Sequence, residues 1–245
     1  MEYVGNHQTG VEILTECIVV DSLSVDYISM QKRGLFSFER KTTVRAIENV
    51  TFKINRGEVV ALLGDNGAGK STLLSVIGGE LRPVKGRVVT TGKVFTLKGS
   101  NPGLVPSMSA RENIRLLGRA YGIEEEEMPY FEKNLEDFCD LGEAFDRKYS
   151  SLSSGMAGRV GFGFTTSLNP DILLMDETLG VGDKNFRAKA EKKAIDFMER
   201  GETILISTHS LNLAKDMCSR GIVLERGELV FDGEINAAVD FYLGR

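Results

Sequence analysis

The chain predicts an α/β fold in which a mainly parallel sheet is interrupted by an inserted helical lobe. Three observations carry that expectation. Short apolar runs recur at Val59–Leu63, Ile172–Met175, Thr203–Ser207 and Ile222–Leu224, and helix-forming sequence alternates with the later ones. Such alternation marks parallel strands joined by crossover helices, since strands covered on both faces read as continuous apolar runs. The stretch from about Ala110 to Leu168 reads instead as helix and separates the early strands from the late ones. A glycine-rich loop, Gly64 to Gly69, lies between the Val59–Leu63 strand and a helix from Ser71 to Gly78.

The elements follow in order. Residues 1–17 are polar and unpatterned, and are expected to form a flexible arm. From Ile18 the chain turns β-like, and Ser22 to Tyr27 alternates apolar and polar. Segment 28–44 holds Lys32, Arg33, Arg40 and Lys41 with Phe36 and Phe38, and reads as a loop or hairpin. Ala46–Ile54 is a strand, closed by a turn at Arg56-Gly57, and strands near Val88 and Val94 follow the Ser71 helix. Within the helical section, Glu124–Glu127 reads as a solvated helix start and Tyr130–Phe138 as an amphipathic helix. Apolar residues at helical spacing from Ile235 to Leu243 predict a last helix that closes the core.

Composition bounds the function. At 245 residues the chain suits one large domain, or one domain with an inserted lobe. Hydrophobic residues at 42% and charged residues at 27% make an ordinary globular mix, and a net charge of −5 makes a poor general binder of nucleic acid. No apolar run is long enough to cross a membrane, and Met1–Cys17 lacks the features of a secretory signal. Cys17, Cys139 and Cys218 are odd in number and far apart, which fits buried, inert thiols in a reducing cytosol better than disulfides or zinc.

Gly64-Asp65-Asn66-Gly67-Ala68-Gly69-Lys70-Ser71 matches G-x-x-x-x-G-K-[ST], in the strand-to-helix context that the motif requires. The glycines let successive N–H groups face one anion, and the helix N-terminus adds a favourable dipole. Lys70 is placed to reach the β- and γ-phosphates, and the Ser71 hydroxyl to ligate Mg²⁺. The matching half of such a site is a carboxylate ending a buried strand, which Ile172–Met175 followed by Asp176-Glu177 supplies. Asp176 would hold the Mg²⁺ shell and Glu177 would polarise the attacking water.

Leu152-Ser153-Ser154-Gly155-Met156 precedes that strand and resembles the LSGGQ signature of ABC ATPases. The chain order resembles the same family: Tyr27, phosphate loop, helical lobe, signature, Asp-Glu strand, Asp183, then His209. The resemblance implies a P-loop NTPase (RecA-like) core over 18–98 and 169–245. It also implies an antiparallel β part and a helical subdomain over 99–168. It implies that ATP is held by Gly64, Asn66, Gly67, Ala68, Gly69, Lys70, Ser71 and Thr72, with Mg²⁺ at Ser71 and Asp176. Tyr27 would stack on adenine, though a lone strand tyrosine is more often ordinary packing, with Phe36 or Phe38 as less favoured substitutes. His209 would be the switch histidine beside the γ-phosphate. Ser153, Ser154 and Gly155 would reach the γ-phosphate of the opposite subunit, and Asp183 would link two subunits; Ser153 and Asp183 also suit helix caps.

The signature Ser153–Met156 and the loop Asp176-Glu177-Thr178-Leu179-Gly180-Val181-Gly182-Asp183 are similar to ATPases that export bacterial polysaccharides, O-antigens and teichoic acids. Segment 28–44 and Pro106–Ile114 resemble that group as well. So does the lack of glutamine in 98–104, where many relatives carry one. The resemblance implies a homodimeric ATPase on the cytoplasmic face of the membrane. That dimer would drive a separate integral membrane permease through the region of 98–112, and the permease would handle the glycan cargo. A transporter ATPase for another cargo and a soluble, non-transport ABC ATPase are the alternative readings.

Overall fold

The structure is a computed structural model that describes residues 16–31, 40–98, 103–176 and 184–244. It opens with two long strands, β1 (Glu16–Gln31) and β2 (Arg40–Asn55), paired antiparallel from Glu16↔Asn55 to Gln31↔Arg40. Glu16 and Cys17, expected at the end of the arm, are therefore strand, and Cys17 is buried beneath the hairpin because its Sγ meets Thr203 Oγ1 at 3.3 Å. Residues 28–31 and 40–44 extend the hairpin, while Phe36 and Phe38 lie outside the described residues. β4 (Lys85–Thr90) pairs with the other edge of β1, which gives a three-stranded antiparallel sheet ordered β2-β1-β4.

The second sheet has six strands. It contains β3 (Val59–Leu63), β5 (Val94–Lys98), β6 (Ile172–Asp176), β7 (Thr203–Ser207), β8 (Arg220–Glu225) and β9 (Glu228–Glu234), in the order β5-β6-β7-β3-β8-β9. All its pairings are parallel except that of β9, which runs antiparallel along the edge. β9 carries the short apolar run Leu229-Val230-Phe231, in which Leu229 and Phe231 are partly buried against opposite faces of the core.

Burial on both faces explains the apolar runs. Along β3 every residue is buried. Val60 and Leu62 join Ile18, Leu23, Ile54, Leu74 and Leu174 in a core between the two sheets and the helix α1 (Lys70–Ile77). Ala61 and Leu63 join Met175, Phe197, Ile206 and Val239 on the opposite face. That face is covered by α5 (Lys184–Glu199), α6 (Leu211–Met217) and α7 (Ile235–Leu243). Each fully buried Leu, Ile or Val contributes about 1.5–3 kcal/mol relative to exposure.

The middle of the chain forms a helical lobe with its own core of Leu104, Ile114, Leu135, Phe145, Val160 and Phe164. Its helices are α2 (Ala110–Ala120), α3 (Met128–Cys139) and α4 (Ser154–Ser167). Glu124–Glu127 sits in the turn before α3 rather than in its first turn. α2 begins at a capping box: Ser109 Oγ accepts from Glu112 N, and Glu112 accepts from Ser109 N at 2.7 Å. Arg111 on α2 grips Glu132 and Glu136 on α3 at 2.5 and 2.8 Å, and Asp146 beyond it at 2.6 Å. Burial alone would raise the Glu132 carboxyl, but the Arg115 and Arg111 guanidiniums outweigh it and hold that group below its usual range. Burial pushes the Cys139 and Cys218 thiols up to about 12, which makes both poor nucleophiles at neutral pH.

Candidate functional site

The phosphate loop leaves β3 and enters α1 through residues that only glycine can supply. Gly64 and Gly69 have φ of 148° and 106°. A Cβ at Gly64 would stand 2.4 Å from Leu224 O, and one at Gly69 would stand 2.8 Å from Ala46 O. The loop is thus clamped between the end of β8 and β2, and the turn between β8 and β9 braces it. Gly227 N donates to Ala68 O at 3.0 Å, and Glu48 N donates to Gly227 O at 2.8 Å. These contacts fix the loop before any ligand arrives.

The helix that follows starts uncapped. Ser109, Ser153, Ser210 and Glu234 cap α2, α4, α6 and α7 with side-chain acceptors. α1 has Gly69 at that position, no side-chain cap and no acid in its first turn. Its leading N–H groups and the positive end of its dipole are left for an anion. Lys70 is buried, and its Nζ donates to Gly64 O at 2.7 Å and Asp65 O at 3.1 Å, so the ammonium is poised along the loop. Ser71 is exposed at the mouth. A cleft of about 310 Å³ opens there, with Tyr27, Val44 and Arg45 on one wall and the loop and Thr72 on the other. Tyr27 is 44% exposed and its hydroxyl lies 3.3 Å from Thr72 Oγ1, which leaves a ring face beside the loop.

Parallel strands bring two further groups to the same sheet edge. Asp176 ends β6, Ser207 ends β7, and the two are register partners. Asp176 Oδ1 and Ser207 Oγ are both buried without a hydrogen-bond partner among the described residues. A buried carboxylate oxygen and hydroxyl that lack a donor or acceptor are costly unless a ligand completes them. An oxygen pair of this kind, with the Ser71 hydroxyl, is the chemistry a hard cation such as Mg²⁺ takes, directly or through its water shell. His209 follows β7 by two residues and is exposed, while Thr208 beside it is buried and accepts from Ser210 N at 3.1 Å. Glu177 and Asp183 lie outside the described residues.

The signature sits apart from this cluster. Ser153 Oγ caps α4 by accepting from Met156 N at 3.3 Å. Because the oxygen accepts there, its proton remains available for a further acceptor. Ser153 and Ser154 are exposed and Gly155 half-buried, and none of them lines either cleft beside the phosphate loop. The residues leading into it pair with the segment before α2. Tyr149 N donates to Met108 O at 2.8 Å and Ser150 N to Pro106 O at 3.0 Å. Sequence reasoning missed Ser207, the bracing turn at Glu225–Gly227, and a bond from Tyr242 OH to Asp65 Oδ1 at 2.9 Å. Their signals are spatial: each depends on a partner far away in the chain.

A parallel sheet with a phosphate loop, an acidic strand end beside it and an inserted helical lobe defines a P-loop ATPase of the cassette type. The chain belongs to the ABC transporter family, whose family model matches residues 47–180, and it is an ATP-binding, ATP-hydrolysing member of that family. It is 38% identical over 89% of its length to the O-antigen export system ATP-binding protein RfbB of Klebsiella pneumoniae, and spans 88% of that protein. It is 36% identical over 89% of its length to the teichoic acids export ATP-binding protein TagH of Bacillus cereus, but spans only 38% of that longer chain. Among solved structures it is similar to a dimeric ATP-binding cassette in a post-hydrolysis state bound to ADP and Pi. That similarity has a TM-score of 0.73 at 26% identity, and covers 89% of this chain and 98% of the other.

Proposed function

We propose that the chain is the ATPase subunit of an exporter that moves a polysaccharide or cell-surface glycan of O-antigen, capsule or teichoic acid type. The observation that carries the cargo class is the end-to-end similarity to the O-antigen export ATPase, which spans 88% of that relative. Among the described residues no helix is long and apolar enough to cross a membrane. In this reading the chain works on a separate permease, from the cytoplasmic face of the membrane. The stretches flanking the 99–168 lobe bind nucleotide, and the lobe presents the signature.

In this mechanism two copies close head to tail on two Mg-ATP molecules. Lys70 swings from the Gly64 and Asp65 carbonyls to the β- and γ-phosphates, and the uncapped α1 terminus receives the same charge. Ser71 and Asp176 would hold the Mg²⁺ shell, which would supply neutralisation of the charge on the phosphates. Glu177 orients the attacking water and His209 faces the γ-phosphate. Tyr27 stacks on adenine through its exposed ring. Ser153 and Gly155 come from the opposite copy, which accounts for a signature that stays outside its own chain's clefts. The Ser153 hydroxyl keeps its cap and turns its proton to the phosphate. Positioning and charge stabilisation supply most of the rate.

The test is the Glu177→Gln variant with Mg-ATP, followed by light scattering. A stable dimer that the wild type forms only in passing supports the sandwich; a monomer with ATP bound, even with the permease present, refutes it. In the host cell, deletion of the gene should strip the glycan from the surface, and a Lys70→Ala copy should not restore it. An unaltered surface glycan would refute the cargo class.

A further inference from the structure

The phosphate loop carries one acidic side chain, Asp65, in a place that has to accept a polyanion. Its carboxylate is not left loose. Tyr242 OH donates to Asp65 Oδ1 at 2.9 Å from the last turn of α7. That helix is a firm support: Ile235, Ala238 and Val239 are buried in the core, and Glu234 caps it by accepting from Asn236 N and Ala237 N. Asp65 lines the cleft on the β8–β9 side of the loop, with Leu224, Glu225 and Arg226. It does not line the cleft on the other side, between Tyr27 and Ser71. Meanwhile its main-chain carbonyl accepts from Ala68 N at 3.0 Å and from Lys70 Nζ at 3.1 Å. One residue thus joins the C-terminal helix to the lysine of the loop.

We propose that Tyr242 is a positioning residue that holds the Asp65 carboxylate on the β8–β9 side, away from the face that takes the triphosphate. The inference rests on the nucleotide reading above and deepens it. A carboxylate released from this bond would lie within reach of both the phosphates and Lys70. It would repel the phosphates and draw the ammonium into an ion pair, and both effects weaken nucleotide binding. Charge carries both effects, so both fade with salt. A tyrosine that merely packed α7 would have no such signature.

The experiment titrates the full chain with Mg²⁺ and a fluorescent N-methylanthraniloyl ATP at low and high ionic strength. Tyr242→Phe keeps the ring and removes the donor. It should raise the dissociation constant about three- to tenfold at low salt, the effect of one charge-assisted hydrogen bond discounted for exposure. At about 0.5 M salt most of the difference should vanish. Adding Asp65→Asn to Tyr242→Phe removes the charge and should bring the affinity back to within about twofold of wild type. A loss that is independent of salt, or that Asp65→Asn does not rescue, overturns the proposal, as does unchanged affinity in Tyr242→Phe. Wild-type chain that binds no nucleotide overturns the nucleotide reading itself, and the two failures are told apart by that control.

Discussion

Replacing Ser207 by alanine should make the resting protein more stable and the enzyme worse. Ser207 is fully buried at the end of β7, and its hydroxyl has no partner among the described residues, beside an Asp176 oxygen in the same condition. An unmet buried hydroxyl costs about 1–3 kcal/mol, and alanine removes it while keeping the Cβ packing. The low end applies, because alanine also leaves the small space of the lost oxygen unfilled. A gain of about 1 kcal/mol corresponds to a midpoint roughly 2–4 °C higher for a chain of this size. With Mg-nucleotide the order should reverse. The hydroxyl then completes the shell around Asp176, and loss of such an outer partner weakens metal affinity at least about tenfold. Thermal unfolding in chelator, then with Mg-ADP, reads both halves, and ATPase rate against Mg²⁺ concentration reads the second again. If Ser207→Ala unfolds below wild type in chelator, the hydroxyl is already bonded at rest and the reasoning is wrong.

Gly69→Ala should abolish nucleotide binding and cost roughly 2–4 kcal/mol, since it adds a Cβ at φ 106° and only 2.8 Å from Ala46 O; titration calorimetry and urea unfolding check it. Arg111→Ala removes two ion pairs to α3 and a third to Asp146 beyond it, and should cost about 2–3 kcal/mol, or roughly 5–10 °C in midpoint. The same network sets a pH dependence. Glu132 and Asp146 are held below their usual range, so their contribution is complete above the unfolded carboxylate values. It is lost as pH falls through the lowered ones, below about pH 4, and Arg111→Ala should show a shallower acid slope. If Tyr27 stacks on adenine as proposed, Tyr27→Ala should raise the KM for ATP about fivefold or more while Tyr27→Phe stays near wild type, because stacking needs the ring face and not the hydroxyl; steady-state kinetics decide.

What could be read in advance was local. The strand Val59–Leu63, the loop after it, the strand ending at Asp176 and the last helix are announced by residues within a few positions of one another, and all stand where expected. The cap at Ser153 is equally local. β9 was less legible: Leu229-Val230-Phe231 is as long a run as Ile222–Leu224, but its antiparallel place along the sheet edge is decided by topology. The tie between Tyr242 and Asp65 was not legible, nor was the reason Gly64 must be glycine, which lies in the carbonyl of Leu224. Such pairings are decided by topology, and a tyrosine or an aspartate gives no hint of its partner. Asn113 is the intermediate case. It lies in the Pro106–Ile114 stretch that the resemblance singles out, but its task of holding the preceding segment, by donating to Val105 O and accepting from Val105 N, could not be read.

The strand order has a consequence for how the protein is made. β3 carries the phosphate loop, yet the neighbours on its two sides are β7 and β8. Both are synthesised only after the whole helical lobe. A nascent chain that stops at the helical lobe therefore exposes an apolar strand with two open edges and a loop that lacks its clamp at Leu224 and Gly227. Pairings this distant in sequence form slowly, and the incomplete sheet is the aggregation-prone species for chaperones to shield. Occupancy by ATP thereby doubles as a report that synthesis has passed the β8–β9 turn, because only then does the loop have the clamps that shape its cradle.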